Sequence, residues 1–446
     1  MTVKTPYVPH IFGDDVKKKL SGSIGWLTAG VASSIPWPSY DVCISYDGKE
    51  YFLRGTEEAK DSPYPCITVT YDADNVNEAL EKVYRLTSVL SWFLDGYVDV
   101  SIYSIASHPI RCGSRHVYSS MGISGSKSFN CNHLPIIENE NARIALAFWR
   151  EGQRLENEHE GYSFLSFFKV IESQFNDTKR RADWISANID ELSEKAKDRV
   201  DTLRGEGIDV SKHLFESCRC AIAHASLNGV IIDPDIAQDK RRLSQDLVII
   251  KGLARLYISR ELNIPTSRSL YTTRNRLEPW NHFLATGIPS ALQSGEGTID
   301  DLTPLTRQIV SIGLWPDGTI LGLERMTAHI QSLSDGKAII TFVNYKETIL
   351  LTFLFDYKTG KAEPLLENCG LATDKEINED DVRALATFYY KTFANGAIEL
   401  RIEGTEPIEC DAYIPVNMMM RVSAEQAIED EVQKFREQAN NSSLGV

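Results

Sequence analysis

Apolar positions along the first 135 residues change period several times, and the changes outline an α+β domain. Residues 42–45 and 51–54 are short β-rich runs on either side of Asp47 and Gly48, a pair that supplies positive φ for a tight turn, so a hairpin is expected there. Residues 66–71 predict a third strand. Over 75–95, Leu80, Val83, Leu86, Val89, Leu90 and Phe93 recur at three-and-four spacing, which predicts an amphipathic helix, and 97–105 return to strand. A Gly/Ser-rich loop, 113–127, ends the domain.

From Glu140 the pattern is helical. Residues 142–157 and 162–175 predict two helices, the second with Phe164, Leu165, Phe168, Ile171 and Phe175 on a wide apolar face and Lys169, Glu172 and Ser173 beside it. Residues 182–204 interleave acidic and basic side chains as one long polar helix, ended by Gly205 and Gly207. A fourth helix is expected over 211–226, stopped by Asn228 and Gly229, and a fifth over 235–262, stopped before Pro265. Five helices with short connections make a bundle. After Trp280 strands return. A turn is expected at Trp315, Pro316, Asp317 and Gly318, a strand pair at 338–343 and 348–355, a helix at 380–393, further strands at 397–402 and 412–416, and a last helix at 424–438. The fold class expected is therefore α+β multidomain: an α+β domain over 1–135, a central all-α bundle over 136–280 and an α+β domain over 281–446.

Composition supports folded domains, since 446 residues with 42% hydrophobic and 24% charged side chains exceed one ordinary core. The net charge of −15 argues against a nucleic-acid binder over the whole surface. Residues 141–280, however, hold 22 basic and 21 acidic side chains, so the flanks carry the acidic excess and any polyanion site belongs in the middle. The first 21 residues lack the apolar run of a signal peptide, and the most apolar stretch, 349–355, is only a strand's length. A cytoplasmic protein without membrane contact is expected. Eight scattered cysteines show no paired spacing and read as free thiols. Gly125, Ser126, Lys127 and Ser128 lack the glycine spacing of a phosphate loop and read as surface loop.

The chemistry-bearing segment is Arg219, Cys220, Ala221, Ile222, Ala223, His224 on the fourth helix. At this point the chain resembles the HEPN superfamily, helical bundles whose late helix carries Arg, four to six residues, then His; the resemblance spans about 140 residues. The ending Ala223, His224, Ala225 also resembles the HEPN-like proteins associated with methylamine utilisation. The resemblance implies a metal-independent endoribonuclease acting on RNA, with tRNA among the candidates and no cofactor, in growth arrest or phage defence as a toxin, and often a homodimer whose site is built from both copies. It further implies that His224 is the acid-base residue, Arg219 the phosphate stabiliser, and Glu172 a carboxylate that orients them. Those residue types suit the chemistry, because imidazole exchanges protons near neutrality, and guanidinium keeps its charge and matches phosphate oxygens.

Two features depart from that pattern. Cys220 stands where the family usually has a polar residue. Five residues on an ideal α-helix also separate side chains by about 140°, so Arg219 and His224 are not expected to point the same way without a kink, arginine's reach or a second subunit. Basic residues at the bundle's ends suggest an RNA track: Lys179, Arg180 and Arg181; Lys240, Arg241 and Arg242; and above all Arg268, Tyr271, Arg274 and Arg276. His213, Cys220 and His224 offer a weak zinc pattern with no fourth ligand, so no metal is expected. The other functional class is a silent dimerisation or sensor module, with the flanking domains binding a protein or small ligand as trigger.

Overall fold

The computed structural model describes residues 3–6, 8, 10–11, 13–21, 25–35, 37–38, 41–56, 64–71, 75–113, 131, 133–224, 231–233, 235–273, 284, 287–295, 309–314, 318–359, 361–395, 397–402, 408–411 and 424–443. Around the expected hairpin the chain builds a six-stranded sheet. Its members are β1 (His10–Ile11), β2 (Trp26–Ser33), β3 (Val42–Tyr46), β4 (Lys49–Arg54), β5 (Cys66–Thr70) and β6 (Val98–Ala106), in spatial order β1-β3-β4-β5-β2-β6. Helix α1 (Gly13–Leu20) precedes β2, and α2 (Val76–Phe93) lies between β5 and β6 in sequence. Tyr46 pairs with Lys49 across the turn, where Asp47 (φ 48°) and Gly48 (φ 71°) both take the left-handed conformation that the primed hairpin turns require. All eight residues of β2 are buried, so this inner strand has no alternation to betray it.

Helix α2 covers the sheet with Val83, Leu86 and Leu90 and presents Trp92 to the helices that follow. These are α3 (Glu140–Leu155), α4 (Glu160–Glu172), α5 (Thr178–Asn188), α6 (Glu194–Gly205), α7 (Val210–Lys212), a π-helix over His213–Cys220, α8 (Ala221–Ala223), α9 (Ala237–Leu256), a second π-segment over Tyr257–Glu261, and α10 (Ser267–Thr273). The Trp92 and Trp149 rings meet edge to face at 5.1 Å, and one apolar core runs without a break from the sheet through the helices to Ile264. The long polar helix expected over 182–204 is two helices. Ile189 and Leu192 turn into the core through a 3-10 turn over Ile189–Glu191, which breaks the solvated face that the charge pattern suggests.

Helix α11 (Ile288–Ser294) leads to a second sheet with its own core. It contains β7 (Ile309–Leu314), β8 (Gly318–Thr319), β9 (Met326–Ser334), β10 (Lys337–Asn344), β11 (Ile349–Asp356), β12 (Lys361–Pro364) and β13 (Gly370–Leu371). After α12 (Glu379–Asn395) come β14 (Ala397–Ile402), β15 (Ile408–Asp411) and α13 (Ala424–Ser443). The main path is β12-β11-β10-β9-β7-β14-β15. The expected pair is present as β10 against β11, antiparallel, with Lys337 opposite Asp356. Helices α12 and α13 pack on one another. The chain is thus mixed α+β, with two sheets and a helical region over about 140–260. Among the described residues no helix is long and apolar enough to cross a membrane. The loop after Gly113, the Lys127 segment, Asn228, Gly229, Trp315, Pro316, Asp317 and 412–416 lie outside the described residues.

Candidate functional site

The segment that carries Arg219 is a π-helix, and this changes the geometry expected of an α-helix. Its hydrogen bonds run i→i+5 and close a wider turn over residues 213–220, and His224 lies beyond it. Three α-helical residues follow, and at His224 the backbone leaves the helix with φ −126° and ψ 94°. The ideal-helix separation of about 140° is overcome here by a kink, since the chain leaves the helix at His224 and lets the long Arg219 side chain reach it. Arg219 Nη1 lies 3.4 Å from His224 Nε2 within one copy of the protein. Guanidinium can only donate, so in this contact Nε2 holds the lone pair and Nδ1 the proton.

Glu172 comes from the end of α4 and completes the cluster. Its carboxylate accepts from Arg219 Nη2 at 3.1–3.2 Å and from Arg181 Nη1 at 2.8 Å. The basic run at 179–181 suggests that Arg181 lies on an exposed track, but it is buried, 7% exposed at the side chain, with its guanidinium 5.2 Å from the Phe168 ring and 4.8 Å from the Phe215 ring. Three elements make that slot: α4 supplies Phe168, the π-helix Phe215 and α5 the arginine itself. Glu172 thus neutralises an inner guanidinium and steers an outer one. Arg219 is 24% exposed at the side chain and His224 lies at the surface, so the Arg219–His224 edge faces solvent.

On another side of the same π-helix a second pair five residues apart converges. His213 Nε2 is 3.7 Å from Cys218 Sγ, and both meet Asp246 of α9: Oδ2 lies 2.8 Å from Nε2 and 3.5 Å from Sγ. Arg199 Nε donates to the remaining oxygen, Oδ1, at 2.8 Å. Burial alone would raise the Asp246 carboxyl, but hydrogen bonds from His213 and Arg199 outweigh it and hold it below the usual range. Burial, followed by the Asp246 charge, pushes the Cys218 thiol up. The weak zinc pattern of His213, Cys220 and His224 is corrected here. His213 turns to Cys218 and Asp246, while His224 turns to Arg219.

Of the remaining expected residues, Arg268 is exposed on α10, and none of the contacts made by Arg219, His224 or Glu172 involves it. Tyr271 belongs to α10, but its side chain lies outside the described residues, as do Arg274 and Arg276 altogether. Sequence reasoning did not bring Arg181 and Phe215 into the site, nor did it group His213 and Cys218 with Asp246. The available signal was the five-residue spacing, present twice between 213 and 224.

Residues 145–259 match the family described as methylamine utilization protein MauJ. This stretch runs from within α3 to the second π-segment and contains both side-chain groups. The match covers about a quarter of the chain, which is similar to that family over this region. No curated protein and no solved structure matches the chain.

Proposed function

We propose that the helical region is a HEPN-type endoribonuclease that cuts RNA without a metal ion at the reacting phosphate. The observation that carries this reading is the meeting of Glu172, from the end of α4, with Arg219 and His224 of one later segment in a cluster with an exposed Arg–His edge. His224 Nε2 takes the proton of a 2′-hydroxyl as that oxygen attacks phosphorus. Arg219 holds a non-bridging phosphate oxygen as charge accumulates on it. The bond from phosphorus to the 5′-oxygen breaks, the leaving oxygen takes a proton from water while His224 returns its own to solvent, and the products are a 2′,3′-cyclic phosphate and a 5′-hydroxyl. Glu172 is the positioning residue: its carboxylate is shared between two guanidiniums and holds Arg219 in place. In the dimeric form of the reading, two such edges face one cleft, and a flanking domain gates the activity.

One observation favours the second reading, a silent module in a dimeric sensor. The guanidinium of Arg219 is already ion-paired with Glu172 and hydrogen-bonded to His224, an arrangement that also stands without substrate. The similarity to the MauJ family adds no chemistry to either reading. The deciding experiment is cleavage of mixed tRNA and single-stranded RNA in EDTA by the native protein, His224→Ala and Arg219→Ala at equal folded concentration. Cleavage by the native protein alone, with cyclic-phosphate ends, is the expected result. Cleavage surviving both substitutions, or none by the native protein with or without lysate-derived triggers, would overturn the nuclease reading.

A further inference from the structure

We propose that His213, Cys218 and Asp246 form a binding site for a divalent cation of intermediate softness, of the Zn²⁺ type, at the joint between the π-helix and α9. The donors are an imidazole nitrogen, a thiol sulfur and a carboxylate oxygen, a set suited to zinc or cobalt and not to the all-oxygen preferences of calcium and magnesium. Their separations are 2.8 Å (N···O), 3.5 Å (O···S) and 3.7 Å (N···S). Bond lengths of about 2.0–2.3 Å in a tetrahedron require donor separations of about 3.3 Å for N···O and about 3.5 Å for the two edges to sulfur. The sulfur edges already fit to within a few tenths of an ångström. The N···O edge must open by about 0.5 Å.

The surroundings are those of a supported ligand set. Arg199 fixes the carboxylate through Oδ1 and leaves Oδ2 aimed at the other two donors, as outer-shell partners of metal carboxylates do. Asp246 and Cys218 are fully buried, and thiolate plus carboxylate would cancel a 2+ charge in that low-dielectric position. Loading releases the Cys218 thiol proton, and His213, whose Nε2–H donates to Asp246 in the metal-free protein, gives up that proton and binds through Nε2 as the neutral imidazole with its proton on Nδ1. Among the described residues no fourth protein ligand joins the three, which leaves the last position to water. Entry is from the His213 side, since that side chain alone of the three retains exposure, 9%. A bound ion would tie residues 213 and 218 together and to α9, and so fix the π-register of the segment that carries Arg219. The site stands whether or not Arg219 and His224 cut RNA.

The test is titration of the full-length, reduced protein with Co²⁺. One equivalent should give the near-ultraviolet charge-transfer band of a cobalt thiolate and intense visible bands of tetrahedral cobalt, and Zn²⁺ should bleach both. The signal should vanish in Cys218→Ser and His213→Gln, persist in Cys220→Ser, and require about 10–100-fold more Co²⁺ in Arg199→Met. Unfolding midpoints without metal would show which variants remain folded, and His213→Gln keeps the test alive if Cys218→Ser does not fold. No thiolate band in the folded native protein, or the same band in folded Cys218→Ser, would overturn the site and leave a purely hydrogen-bonded group. No RNA enters the assay, so its failure is separable from that of the nuclease reading, which is tested in EDTA.

Discussion

Replacing Glu172 by Gln separates its two partners. The change removes the negative charge and keeps the shape, so Arg181 is left as a guanidinium only 7% exposed with no carboxylate, while Arg219, 24% exposed, can turn to water. Breaking a buried ion pair from one side costs about 3–5 kcal/mol, whereas exposed pairs are worth about 0.2–1 kcal/mol. Glu172 is itself 25% exposed and glutamine still offers an acceptor, so a loss of about 2–3 kcal/mol is expected, nearly all of it from Arg181. At about 1.36 kcal/mol per tenfold, local opening should rise about 30–160-fold. Hydrogen exchange of the α4 and α5 amides reads that opening directly. In a double-mutant cycle, Arg181→Met should couple to Glu172→Gln by about 2 kcal/mol and Arg219→Gln by less than about 1 kcal/mol. Acceleration of less than about threefold in Glu172→Gln, or equal coupling to both arginines, would refute the division of labour between an inner structural pair and an outer working pair.

Three further outcomes follow from the packing. Burial pushes the Cys43 thiol up to about 12 and the Cys66 thiol up to about 11. Because both folded values lie above the unfolded one, the stability these thiols contribute is complete below about pH 9 and is lost as the pH rises towards 11 and 12, at about 1.4 kcal/mol per pH unit for each. Urea midpoints at pH 8, 9 and 10 should fall accordingly, and less steeply in Cys43→Ala/Cys66→Ala; identical slopes would contradict the assignment. Gly152→Ala would place a Cβ 2.7–2.9 Å from the Phe167 ring, and overpacking of about 1–3 kcal/mol should outweigh the roughly 1 kcal/mol gained in helix propensity, so thermal unfolding should come earlier, not later. Asp41→Asn should cost about 3–5 kcal/mol in urea unfolding, since this buried carboxylate binds Arg54 Nε (2.9 Å), Arg111 Nη2 (2.6 Å) and the Gly55 amide (2.7 Å); a cost below about 1 kcal/mol would contradict that role.

What can be read from sequence is what local periodicity and turn chemistry encode. The Asp47–Gly48 hairpin, α2, α3, α4, β6, the β10–β11 pair and α12 are all legible within a few residues of their observed ends. Strand β2 is not, because burial on both faces removes alternation, and its Trp26, Gly30 and Ser33 share no common character. The break after Asn188 is hidden because charges on the exposed faces of α5 and α6 continue a single helical pattern, while only Ile189 and Leu192 mark the dive into the core. The residues of the candidate site are legible as types: Arg219, His224 and Glu172 stand out by their chemistry and do converge. Their geometry is not, because a π-helix of eight residues is too short to impose its own apolar period, and its buried members, Leu214 and Cys218, also suit an α-helix. Partners on distant helices, Arg181 against Glu172 and Asp246 against His213, depend on tertiary packing that no window contains.

The proposed function rests on the pairing of Arg219 with His224 within a single copy of the chain. That pairing is tested most directly by the ring-nitrogen NMR spectrum of His224, assigned with His224→Gln, in histidine-labelled protein at about pH 8, where an ordinary imidazole is neutral. The predicted result is a proton on Nδ1, an Nε2 that accepts from Arg219, and a change in the Nε2 resonance in Arg219→Met. A proton on Nε2, with a spectrum indifferent to Arg219→Met, would contradict the pairing.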